Sequence, residues 1–137
     1  MPNVTLEMPA RVILYSVFAI TLLFACKKDD TSPMPGSCFA DNITLTQTEF
    51  IDYAGAHSIF VAMDAKNTSS KDYDVSKGAK LVNMKIVITT TDGAQYETHI
   101  GLTKTYIPAG TSTSAIIYAE YGAGKTYQDY KVITSCD

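Results

Sequence analysis

The stretch Leu81–Thr91, LVNMKIVITTT, places Val82, Met84, Ile86 and Ile88 at every second position, with Asn83, Lys85, Val87 and Thr89 between them. A period of two fits a half-buried β-strand and excludes an amphipathic helix, whose apolar positions recur every three to four residues. Asp92-Gly93 follows at once. A tight two-residue turn there, with positive φ at both positions, would send the chain back through Ala94–Ile100 with Tyr96, Thr98 and Ile100 on one face. Such a hairpin leaves an apolar face uncovered, so a second layer is required. Strand-like runs that could supply it are Asn42–Thr46, Ser58–Ala65, Ala115–Ala119 and Tyr130–Thr134. Turn signals separate them at Asn67–Asp72, Ile107–Thr111 and Gly122-Ala123-Gly124. No segment after residue 38 carries a helical stripe. The expectation is an all-β chain, a small antiparallel sandwich over residues 38–137.

The beginning of the chain is different in kind. Val12–Phe24, VILYSVFAITLLF, is interrupted only by Ser16 and Thr21 and is preceded by Arg11. It is shorter than the roughly 20 apolar residues that span a bilayer as a helix. Its length and basic flank fit the hydrophobic helix of a secretory signal peptide. Glu7 sits awkwardly in a leader, which leaves Met8 as an alternative start. Leu23-Phe24-Ala25-Cys26 resembles the bacterial lipobox, which implies cleavage after residue 25 and acylation of Cys26. A thiol is the natural nucleophile for that transfer. Lys27-Lys28-Asp29-Asp30 is similar to the first residues of exported lipoproteins of the Bacteroidota. The resemblance implies a protein held on the outer membrane by lipid and displayed at the cell surface. Residues 26–37 then read as the lipidated cysteine and a polar tether, with Pro33, Pro35 and Gly36 opposing any core.

With Cys26 assigned to lipid, Cys38 and Cys136 remain as an even pair in an exported chain, where oxidising surroundings favour a disulfide. Two free thiols or half a metal site are the alternatives. His57 and His99 are the only histidines, and neither Cys-x-x-Cys nor His-x-x-x-His spacing occurs, so a metal centre is disfavoured. Fourteen acidic against 11 basic residues give a net charge of −3, which excludes a broad nucleic-acid footprint.

Further features resemble the small immunoglobulin-like FxLYD domains of bacterial envelope proteins. These are a strand ending in Lys66-Asn67-Thr68-Ser69, a long strand closing on Asp92-Gly93, the Pro108-Ala109-Gly110-Thr111 turn and a closing Tyr130-Lys131-Val132. The likeness spans about residues 58–134, with Ile88–Thr91 standing where the namesake aromatic residues would be. It implies an immunoglobulin-like sandwich, and a fold alone confers no activity.

Motifs for catalysis are sparse. Gly124-Lys125-Thr126 mimics the end of a phosphate loop, but Ala119 replaces the required first glycine and a strand follows. Asp72-Tyr73-Asp74, with Asp64 or Asp52, could offer oxygens to calcium, yet no spacing supplies six to eight ligands. His57 and His99 lack a nucleophile elbow or a His-Glu-x-x-His run around them. Tyr118, Tyr121, Tyr127 and Tyr130 flank one glycine-rich hairpin; exposed tyrosines stack on sugars or anchor protein contacts, and the alternative for each is a place in the small sandwich core or its rim. The function expected is therefore a non-catalytic binding or assembly module whose partner is an envelope protein or glycan, with no cofactor. A purely structural envelope component and a small hydrolase with facing carboxylates are the alternatives.

Overall fold

The structure, a computed structural model, describes residues 32–136; the leader, Cys26 and the chain up to Thr31 lie outside the described residues. Eight strands form, β1 Ile43–Tyr53, β2 Ser58–Asn67, β3 Tyr73–Asp74, β4 Val82–Thr90, β5 Gln95–Gly101, β6 Tyr106–Ile107, β7 Ser112–Glu120 and β8 Tyr127–Cys136. They build two antiparallel three-stranded sheets, β1-β2-β7 and β5-β4-β8, and a small β3-β6 ladder. The second strand pairing with the one before the last, and the central strand of the other sheet with the last, are the B–E and C–F pairings of an immunoglobulin-like sandwich. No seventh long strand follows β8 among the described residues.

Alternation explains the layers. In β4, Val82, Met84, Ile86 and Ile88 are buried and meet Ile59, Val61, Met63 and Ala65 of β2 and Ala115, Ile117 and Ala119 of β7 in one core. Val87 points to the other face and is also buried, because β4 is central and its neighbours Glu97 and Lys131 flank it in register.

Three local expectations are corrected. The turn after β4 is a three-residue loop rather than a two-residue one: Gly93 N–H donates to Thr90 O (2.8 Å), Thr90 N–H donates to Ala94 O (3.0 Å), and Gly93 has φ 82°. Asp92 does not enter positive φ, so the connection is a type I turn closed by a left-handed glycine. The first strand is 11 residues long instead of five, since a register shift between Gln47 and Glu49 reverses its alternation midway. Ile43 and Leu45 face inward before the shift, and Phe50 and Asp52 after it. Finally, residues 32–37 belong to the domain rather than to a free tether. Pro33 is buried, Gly36 N–H donates to Gly78 O (2.7 Å), and Lys80 N–H donates to Ser37 O (2.9 Å).

Two features tie the ends of strands together. Asn67 is fully buried and completely satisfied. Its amide donates to Lys71 O (2.8 Å) and Ile107 O (3.0 Å), and its Oδ1 accepts from Ser69 N–H (3.0 Å) and hydroxyl (2.7 Å). A buried amide of this kind costs free energy unless every group is paired, so it locks the end of β2 to the β6–β7 turn. Cys38 and Cys136 form a disulfide, with S–S 2.15 Å, that staples the entry of the domain to the end of β8.

Candidate functional site

The four tyrosines singled out around the β7–β8 connection do not act together. Strand parity separates them. Odd positions of β7 point inward, so Tyr121, just past the strand, continues the series Ala115, Ile117, Ala119 and is only 1% exposed. Its hydroxyl donates to Asp52 Oδ1 (2.6 Å), which the β1 register shift has turned to the inner side. Burial, reinforced by the hydrogen bond and charge of Asp52, pushes the Tyr121 hydroxyl up to about 12. Tyr121 is thus a core residue, a correction to its expected place on a binding surface.

Tyr127 and Tyr130 close the side of the sandwich where β1 faces β8. Phe50 of β1 stacks on Tyr130 with ring centroids 5.7 Å apart and an interplanar angle of 1°, and meets Tyr127 at 5.1 Å. The two tyrosines share a side although three residues apart, because β8 carries an irregularity opposite Thr89 and Thr90. The Tyr130 hydroxyl donates to Gln47 Oε1. Both rings are half-buried, and burial followed by the charge of Asp129 raises both hydroxyls above the ordinary tyrosine value. This is an aromatic latch between two sheet edges.

Tyr118 is the one of the four that faces solvent, at 59% exposure. It occupies an even position of β7, opposite Phe60 of β2, and the two rings lie 5.0 Å apart. Ile116, two positions away and 52% exposed, extends the stripe. Sequence reasoning missed Phe60 and Ile116. Their even positions in β2 and β7 are the available signal, since the odd positions are more evenly apolar. An open groove of about 350 Å³ lies beside this stripe, lined by Ser58, Thr98, Tyr118, Ala119 and Glu120. A smaller recess of about 190 Å³ adjoins it, lined by Ala56, His57, Glu120, Tyr121, Gly122 and Ala123. A Cβ at Gly122 would sit 2.3 Å from the Tyr96 hydroxyl and 2.7 Å from its ring, so any larger residue there has to displace that ring.

The remaining candidates resolve into structural roles. His57 caps the β1–β2 connection in a left-handed conformation (φ 51°). Its Nε2 accepts from Gly124 N–H (3.3 Å), its ring meets the Tyr121 ring edge-on at 6.1 Å, and its Nδ1 is buried with no hydrogen-bond partner. His99 is exposed in β5, in register with Lys85. Asp72 accepts from Ala109 N–H (2.9 Å). Asp74 caps a short turn through Ser76, whose hydroxyl and N–H hold its carboxyl below the usual range. Tyr73 between them is a core ring packed edge-on against Phe39. Lys125 of the Gly-Lys-Thr segment pairs with Asp92 across the sandwich end. Lys125, the Thr90 hydroxyl and Ala94 N–H together hold Asp92 well below the usual carboxylate range. Among the described residues no three His, Cys, Asp or Glu side chains are grouped so as to hold a metal ion.

The arrangement therefore offers an exposed aromatic and aliphatic stripe beside an open groove. No family model, curated protein or solved structure matches the chain.

Proposed function

We propose that the chain is a lipid-anchored envelope protein, displayed on the outer membrane, whose sandwich is a non-catalytic binding or assembly module. The observation that carries the reading is the placement of Cys26, directly after a signal-like apolar run and a small residue. The disulfide between Cys38 and Cys136 leaves Cys26 as the odd cysteine, available for acylation. Two or three acyl chains make a stable anchor where one gives only reversible binding. Because residues 32–37 pack on the domain, only residues 27–31 separate it from Cys26. At about 3.5 Å per residue they reach roughly 20 Å at most, so the module sits close to the lipid headgroups. The docking face is the outer side of β2 and β7, where Phe60, Ile116 and Tyr118 are placed to meet a partner, rather than the β7–β8 hairpin as a whole.

Growth with an alkyne-tagged fatty acid tests the anchor. The wild-type protein should take up the label and sediment with membranes. Cys26→Ser should remain folded, unlabelled and uncleaved. Label retained by that variant would overturn the reading. Protease added to intact cells should remove the wild-type domain; full protection would place it on the inner face of the membrane.

A further inference from the structure

Among the described residues the two three-stranded sheets have four free strand edges, and three of them are guarded against pairing. β1 carries a register shift and exposes Glu49. β8 is irregular near Asp129, and Lys131 follows. β5 is short and exposes Glu97 and His99. β7 differs. It runs nine residues, STSAIIYAE, without irregularity, proline or any charge before Glu120, and among the described residues it pairs with β2 alone. A long, regular edge with so little charge is a template for another strand.

Which groups it offers follows from the ladder. Asn67 N–H donates to Thr111 O and Tyr121 N–H to His57 O, so the odd positions between them bond to β2. The main-chain N–H and C=O of Ser114, Ile116, Tyr118 and Glu120 point away.

We infer that this edge pairs with β7 of a second copy, antiparallel about a two-fold axis at Ile116, joining two three-stranded sheets into one of six strands. The inference rests on the reading of the sandwich as an assembly module and names its partner. The strand is self-complementary in this register. Ile116 lies opposite its own symmetry mate, and the small Ser114 lies opposite the bulky Tyr118 of the other copy. Ser112 lies opposite Glu120. Lys66 stands next to Ser112 in β2, one strand from the other copy's Glu120, and its long side chain spans a serine to reach that carboxylate. The two-fold makes this charge pair twice, with no like charges opposed. Among the described residues neither Lys66 nor Glu120 has an ion-pair partner within its own domain. Strand pairing plus the Tyr118 stripe is a small interface, which confinement to one membrane surface compensates by raising effective concentration.

The full-length protein in the membranes of producing cells provides the test. In a hydrogen-bonded antiparallel pair, opposed Cα atoms lie about 5.5 Å apart, within disulfide range. Ile116→Cys, oxidised with copper–phenanthroline, should convert mostly to a covalent dimer. Glu120→Cys, whose symmetry mate would be about eight positions away along the strand, should link at least about tenfold less. Adding Glu120→Lys to Ile116→Cys should cut the dimer yield severalfold, and adding Lys66→Glu to that pair should restore it. Equal linking by the Ile116→Cys and Glu120→Cys variants would overturn the proposal, as would a charge swap without effect. A different polypeptide linked to the thiol of the Ile116→Cys variant would also overturn it, in favour of a foreign strand. Membrane fractionation of the same samples reports the anchor separately, so loss of dimer with retained sedimentation leaves the lipoprotein reading intact.

Discussion

The two sides of the sandwich are built from similar residues and do opposite things. Where β1 meets β8, Phe50, Tyr127 and Tyr130 lie ring against ring across the gap between sheets, and the disulfide closes the far end of β8. Where β7 meets β5, Tyr118 and Ile116 stand in solvent beside an open groove. Aromatic content does not separate these regions. Strand phase does: a register shift in β1 brings Phe50 and Asp52 inward, and unbroken alternation in β7 sends Tyr118 outward. One side is stabilised by burying its aromatic rings, and the other leaves Tyr118 and Ile116 in solvent.

The sharpest way to break this contrast is to truncate one tyrosine on each side. Tyr121→Ala removes a buried ring and its bond to Asp52, and should destabilise the domain by about 3–5 kcal/mol. Tyr118→Ala, at an exposed position, should change stability by no more than about 0.5 kcal/mol. Urea unfolding followed by circular dichroism measures both. Comparable losses would mean that the two sides are equally structural.

The closed side can next be opened at its staple. Replacing Cys38 and Cys136 together by serine should cost about 2–4 kcal/mol, because the closed loop spans nearly the whole domain and its removal frees the unfolded chain. Unfolding with and without reductant should show the same difference in the wild type and none in the double variant.

The smallest expected effect lies in alkaline solution. Tyr121 titrates near 12 in the folded domain against about 10 unfolded. A raised folded value means that the stabilisation is complete below pH 10 and is lost as pH climbs toward 12. Tyr73, Tyr127 and Tyr130 are shifted in the same direction. Melting temperature should therefore fall across that window, and Tyr121→Phe should make the fall shallower. An unchanged slope in the variant would remove Tyr121 from the account.

The class of fold and most of the strands are legible in the residues alone. Val82, Met84, Ile86 and Ile88 alternate without interruption, and a period-two apolar face buries itself in only one way. The turns at Gly93 and Gly110 are legible because left-handed backbone is costly for other residues. The Cys38–Cys136 disulfide is legible as an expectation, since setting Cys26 aside for the proposed lipid leaves one even pair. Even the opposite fates of Tyr118 and Tyr121 are written in parity, since the two sit an odd number of residues apart along one alternating run. Register shifts and long-range partners are another matter, and they emerge only in three dimensions. The shift in β1 is set by pairing with β2, so nothing local announces that Phe50 and Asp52 turn inward. Tyr127 and Tyr130 meet Phe50 from the opposite end of the domain's chain. Asn67, which reads as a strand end, becomes a buried hub because Ile107 returns to it from 40 residues away. The free edge of β7 is likewise a property of sheet order. Alternation along a strand is local and survives in the sequence, whereas which strands find each other, and which edge is left over, is settled only when the layers close.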